Sequence, residues 1–286
     1  MNLLHHILNL VGLLLWIRWR SLKHSAPLHP GGPFLVSPLQ QVVPNRLRWM
    51  LLLGIGLLIV GRAAFYRMAG PGLNWLPSLS PGAIEIEIFF RSDLFPRMLL
   101  YSFLSFLTVL LLYVFSLLYL SLINRDLTDA EPYQKALRHQ LGFLAGLPGF
   151  IRFFLPLLLA GAAWALIRLG LGRLDLIPAA NSPVQILLES LLVGVGSYFT
   201  WLYLMAAILF VHVVTSYVYF GNFGLLAYLN LSSRKVTPLF QWLPFLKYGT
   251  VDLTPVAGMA ILFLATEYGS LGLTVLFKRV FEIPIG

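Results

Sequence analysis

The sequence predicts an all-α, polytopic membrane protein, with about six transmembrane helices joined by interfacial, proline-bounded amphipathic loops. Two compositional facts and one positional fact lead there. Hydrophobic residues make up 58% of the 286-residue chain and charged residues 11%, with mean hydropathy +0.82. A soluble domain carries about 25% charge, and no single core of this size buries so much apolar surface. The 20 basic residues outnumber the 11 acidic ones, but they flank apolar runs, as they do in membrane proteins. The net charge therefore gives no direct indication of nucleic acid. With no cysteine, disulfides, Cys-ligated zinc, iron–sulfur clusters and thiol nucleophiles are excluded.

The spans follow in order, each sought as about 20 mostly apolar residues. The first, 2–17, carries His5 and His6. Its arginines follow the apolar run, so it reads as an anchor with its N-terminus outside, not as a signal peptide. The second covers 49–67 and the third 98–123. The fourth, 147–168, contains Pro148, Arg152 and Pro156. The region 184–220 is too long for one perpendicular crossing at 1.5 Å per residue. It divides into an interfacial approach (184–195) and a span (196–219), with the Gly194–Gly196 segment as the kink. The sixth span covers 251–276.

Loop charge orients these spans. Segment 18–48 has Arg18, Arg20, Lys23, Arg46 and Arg48 and no acid; 221–250 has Arg234, Lys235 and Lys247 and no acid. With 124–142, these loops are expected in the cytoplasm. Both termini then lie on the outer, periplasmic side of a bacterial inner membrane, although Lys278 and Arg279 run against the bias. The resulting segments are a helix-loop-helix unit (1–67), an outer loop (68–97), a second unit (98–168) and a C-terminal unit (169–286). In the outer loop, AIEIEIFF alternates as a strand does and is expected to lie on the membrane face or meet a partner.

A repeat links the two ends of the chain. Val36-Ser37-Pro38-Leu39-Gln40-Gln41-Val42-Val43-Pro44 aligns with Val236-Thr237-Pro238-Leu239-Phe240-Gln241-Trp242-Leu243-Pro244. Each proline pair brackets a short helix, which the hydroxyl residue before the first proline is placed to cap. A helix of fewer than two turns is not stable alone in water. It is expected to lie in the headgroup layer, with Arg18, Arg20, Arg46, Arg48, Arg234 and Lys235 near lipid phosphate. A plain connector is the alternative. Asp252 is placed to cap the following helix, with Pro255 in its first turn.

The stretch 215–265 resembles the YggT (YlmG) family of integral membrane proteins. That family's unit is a span, an Asn-Pro-like turn, a proline-bounded segment, and an Asp-x-Ser-Pro opening of the next span. Here Ser216-Tyr217 ends the span, Gly221-Asn222-Phe223 takes the turn, Thr237 to Pro244 matches the bounded segment, and Asp252-Leu253-Thr254-Pro255 opens the next helix. The arginines usual between the prolines are absent, and 70–200 falls largely outside the match. The resemblance implies a non-enzymatic organiser, assembly factor or accessory subunit of a larger membrane complex. The family is linked to cell division, osmotic tolerance and, in plastids, cytochrome complex assembly or nucleoid arrangement.

Chemistry is sparse. Ionisable residues within spans suggest function by default. The acids to consider are Glu189 and Glu267, with Arg152 the deepest base. Glu189 is placed near the interface, and either pairing of Glu267 with Arg152 or interfacial solvation is expected. The same residues support an alternative reading as a small ion or solute transporter or channel. His212 supports a third, a haem- or pigment-binding subunit with His as axial ligand. A histidine hydrogen-bonded between helices is the commoner case, and no cofactor or metal is predicted. No HExxH, P-loop, GxSxG or GxGxxG pattern stands in a sensible context, so no catalytic residue is assigned. Trp16, Trp49, Trp75 and Trp242 fall at span ends, where aromatic belts form. Gly54, Gly56, Gly161, Gly194 and Gly196 allow close helix approach.

Overall fold

The computed structural model describes residues 2–22, 45–79, 84, 88–127, 132–174, 176–178, 180–218, 224–242, 247–248 and 251–282. The chain is all-α, with short two-residue strands only in connections. Its helices are α1 (Asn2–Leu22), α2 (Asn45–Ala69), α3 (Phe95–Ile123), α4 (Pro132–Leu141), α5 (Gly149–Arg173), α6 (Pro183–Gly196), α7 (Phe199–Tyr217), α8 (Gly224–Val236) and α9 (Thr254–Glu282). Among the described residues, five stretches are long and apolar enough to cross a membrane: Arg46–Ala69, Phe95–Ile123, Gly149–Arg173, Pro183–Tyr217 and Thr254–Phe281. The protein is a multi-pass membrane protein. α1 has the length of a span, but Asn2, His5, His6 and Asn9 dilute its apolar character.

The helices gather into two compact units, one of 1–79 and 89–110, the other of 80–88 and 111–286. In the first, α2 runs antiparallel to α1: His5 meets Tyr66, and Asn9 meets Arg62. The first half of α3 runs parallel to α1, with Asn9 beside Ser105. α3, which hydropathy assigns to a separate unit, thus contributes its first half to the core of α1 and α2. Gly12 permits this closeness, since a Cβ there would lie 2.8 Å from the Phe106 ring.

In the second unit α5 and α6 form an antiparallel hairpin whose backbones nearly touch. A Cβ on Gly194 would lie 2.6 Å from the Leu157 carbonyl oxygen, and one on Gly161 2.8 Å from that of Ser190. Small residues here do what close helix packing in lipid requires. Gly54 and Gly56 do not act this way: a Cβ on Gly54 would only reach van der Waals contact with Leu15, and one on Gly56 would meet open space. α6 continues into α7 after a turn at Ser197–Tyr198, where the Ser197 hydroxyl donates to the Gly194 carbonyl. The expected division of 184–220 coincides with the end of α6 at Gly196. Gln185, Glu189, Val193, Gly194 and Gly196 are buried, because α6 packs along both α5 and α9. α9 runs antiparallel to α6 and α7, with Gly269 against the Phe199 ring and Gly258 against Leu209.

The first proline segment, with Pro38 and Pro44, lies outside the described residues, as do Pro244 and the side chain of Asp252. The second segment forms a single 3-10 turn, Thr237–Phe240. Thr237 does not cap it as expected. Its hydroxyl donates backward to the Ser233 carbonyl at 2.9 Å, which continues the bonding of α8. The turn is held by Phe240, buried with Leu209, Val236 and Leu262, while Pro238 and Leu239 are exposed. The Asp252 backbone lies in a short strand opposite Lys247, ahead of α9, and Pro255 is buried in the first turn of α9.

Candidate functional site

Among the described residues, three features carry the candidate chemistry: two buried arginine clusters, one in each unit, and the exposed carboxylate of Glu267 on α9.

In the first unit Arg62 is 3% exposed. Its Nε donates to the Ser102 hydroxyl at 2.6 Å, its Nη1 to Asn9 Oδ1 and its Nη2 to the Ser102 carbonyl. All three acceptors are neutral. Because Asn9 Oδ1 faces the guanidinium, the Asn9 amide NH2 turns the other way, and it donates to His5 Nε2 at 3.0 Å and to Ser105 Oγ at 2.9 Å. His5 Nε2 is therefore an acceptor, and Nδ1 carries the hydrogen toward the Tyr66 hydroxyl at 3.0 Å. Trp75, Tyr66 and Tyr101 close over the histidine edge-on to one another, with ring centroids 4.9–6.1 Å apart. A single hydrogen-bonded chain thus runs Arg62, Asn9, His5, Tyr66.

In the second unit Arg168 and Glu189 form an ion pair at 2.9 Å, with side chains 2% and 0% exposed. Glu189 Oε2 also accepts from Trp164 Nε1 at 3.2 Å, and Oε1 from Gln185 Nε2 at 3.1 Å. Arg168 Nη1 donates to the Pro178 carbonyl, and the guanidinium lies 5.0 Å from the centre of the Phe281 ring. Gln185 Nε2 also reaches the Phe281 carbonyl at 3.4 Å, which ties α6 to α9. Ser182 caps α6 by accepting from the Gln185 N–H at 3.2 Å. Such a fully bonded buried pair is a structural clamp whose members are costly to remove singly.

The expected pairing of Arg152 with Glu267 is not present. Arg152 donates through Nη1 to Ser121 on α3, because the start of α5 faces the end of α3. Glu267 is exposed on α9, and among the described residues its carboxylate meets no basic group. Glu189, expected near the interface, is fully enclosed by protein. His212 lies on α7 with Nδ1 3.3 Å from Asn230 Oδ1, which also accepts from the Thr215 hydroxyl at 3.0 Å. This ring is oriented by its helix neighbour. Among the described residues no three His, Asp or Glu side chains gather as a metal site. Of the basic residues expected near lipid phosphate, Arg18, Arg46 and Arg234 are exposed and Arg20, Arg48 and Lys235 half-buried. Lys235 pairs with Asp126 at 3.3 Å.

Arg62, Arg168 and Asn9 are the residues that the sequence reading did not single out; His5 was noted in the first span, without these partners. A signal was present. His5 and Asn9, Arg62 and Tyr66, Tyr101 and Ser105, Trp164 and Arg168, and Gln185 and Glu189 each stand four apart, on one face of a helix. Polar pairs at that spacing inside apolar helices mark faces turned to another helix.

Comparisons with family models, with curated proteins and with solved structures returned no match.

Proposed function

We propose that the chain is a non-enzymatic accessory or organising subunit of a larger membrane complex, of the YggT kind. One observation carries this reading. Arg62, Arg168 and Glu189 are each enclosed by neighbouring helices, and Arg152 is held by Ser121, whereas Glu267 stands exposed midway along α9. A charge left facing hydrocarbon is costly, and such residues face a bundle interior, a partner or water. A helix of another subunit would supply what this fold does not. In the same reading the chain sits in a bacterial inner membrane. Segments 18–48, 124–142 and 221–250 face the cytoplasm and both termini face the periplasm. The Thr237–Phe240 turn rests at the inner lipid surface through exposed Pro238, Leu239 and Trp242.

The test is extraction of native membranes in a mild detergent, followed by sizing under non-denaturing conditions. The reading expects the 32.1 kDa chain to travel with a second membrane protein in fixed proportion. Migration of the chain alone, across detergents that preserve other membrane complexes, overturns it.

A further inference from the structure

Glu267 is the only charged residue between Asp252 and Lys278. The span Thr254–Phe281 has 28 residues. It rises about 42 Å at 1.5 Å per residue, against a hydrocarbon core of about 30 Å. However the helix is set along its axis, Glu267 therefore falls within about 6 Å of the bilayer middle. A glutamate side chain is too short to reach either interface from that depth.

The surroundings of Glu267 give it no relief. Leu264 is 56% exposed, Tyr268 70% and Leu271 49%. Leu264 and Leu271 flank Glu267 on the same helix face, at the three- and four-residue spacing that makes helix neighbours, and Tyr268, next in sequence, stands exposed beside that face. The Ser270 hydroxyl donates to the Glu267 backbone carbonyl, not to the carboxylate. Just beyond, Gly272 is open, since a Cβ built there meets nothing within 4 Å. A glycine on an exposed apolar face lets a second helix approach closely.

We propose that this face of α9 docks a membrane-spanning helix of a different protein, one that carries a lysine or arginine at mid-bilayer depth to pair with Glu267. The inference rests on the accessory-subunit reading and specifies its partner chemically. Charge complementarity selects the occupant. A second copy related by an axis along the membrane normal sets Glu267 against Glu267, like against like. Nor, among the described residues, does a copy bring a suitable cation of its own: Arg62 and Arg168 are 3% and 2% exposed, and Arg152 lies in the first turn of α5, bonded to Ser121.

The full chain, donor-labelled in phosphatidylcholine vesicles at low density, is titrated with acceptor-labelled Leu/Ala spanning peptides. Their central residue is Arg, Leu or Glu, and energy transfer reports association. The Arg peptide is expected to associate about tenfold more tightly than the Leu peptide, as one interhelical polar contact allows. Glu267→Leu abolishes that preference and Glu267→Asp retains it. Gly272→Leu, which leaves the carboxylate in place and fills the open surface, weakens association with the Arg peptide. Helix content and resistance to detergent unfolding are measured on each variant, so that lost folding is not read as lost binding. Equal association of the Arg and Leu peptides, a preference that survives Glu267→Leu, or Glu267-dependent self-association of the chain overturns the proposal. A native complex that withstands Glu267→Leu, with no peptide preference, refutes the charge contact and leaves the accessory-subunit reading standing. A chain that purifies alone but still prefers the Arg peptide does the reverse.

Discussion

Two arginines are buried to nearly the same degree in the two units, and they are accommodated in opposite ways. Arg168 meets a carboxylate, and each member of that pair is bonded further to an indole, an amide or a backbone carbonyl. Arg62 meets only dipoles: a hydroxyl, an amide oxygen and a backbone carbonyl. The difference shows what a membrane interior demands of a cation. It must find donors' complements on every side, but the complement need not be an opposite charge if several aligned dipoles converge on it. The first unit keeps its net positive charge inside; the second cancels it. Removing a partner therefore has different consequences in the two places.

The largest effect is expected in the second unit. Glu189→Leu strands Arg168 beside an apolar wall, and stability should fall by about 3–5 kcal/mol, read as a lower unfolding midpoint in mixed micelles. Arg168→Leu combined with Glu189→Leu should recover most of that loss, because the desolvated charges go together. A double variant as unstable as the single one would break the interpretation of the pair as a clamp.

The first unit should respond less and in a different order. Asn9→Leu removes an acceptor from Arg62 and a donor from His5, and should cost about 2–3 kcal/mol. Arg62→Leu should cost less than Asn9→Leu, since it removes the uncompensated charge instead of stranding it. The reverse ranking, by the same unfolding assay, would mean that the guanidinium is the organising centre of α1, α2 and α3 and not a tolerated guest.

Packing effects come next. Gly194→Ala should destabilise by about 1–3 kcal/mol, because the new methyl meets the Leu157 carbonyl oxygen and forces the α5–α6 hairpin apart. Gly56→Ala, with open space around it, should be close to neutral and serves as the control. The smallest change expected is Ser182→Ala, about 1 kcal/mol from the lost cap on α6. It should also loosen Gln185, whose backbone N–H the cap holds, and so weaken the Glu189 cluster slightly.

The fold class was legible because composition and apolar run length determine it. The expected boundaries 49–67, 98–123, 147–168 and 251–276 fall on α2, α3, α5 and α9. What hydropathy could not provide was register between helices. Glu189 read as part of an interfacial approach because 184–220 is too long for one perpendicular crossing, and hydropathy did not show that α5 and α9 cover it from two sides. Arg152 read as the deepest base and the partner of Glu267, yet the end of α3 brings it Ser121. Arg168 and Glu189 are joined by a short connection, and their four-residue companions Trp164 and Gln185 made that contact recoverable in principle. Asn9 and Arg62 stand on helices far apart in sequence, and hydropathy carries no information on how those helices align. Glu267 was legible as an acid within an apolar run, but its exposure depends on which side of α9 packs against α6 and α7.

The most direct test places a photoreactive amino acid at Tyr268, beside Glu267, in the chain expressed in its native membranes. The account predicts a protein–protein crosslink of one discrete size, lost when Glu267→Leu is added and retained with Gly56→Ala. Crosslinks to lipid alone, or a protein crosslink indifferent to Glu267→Leu, would contradict it.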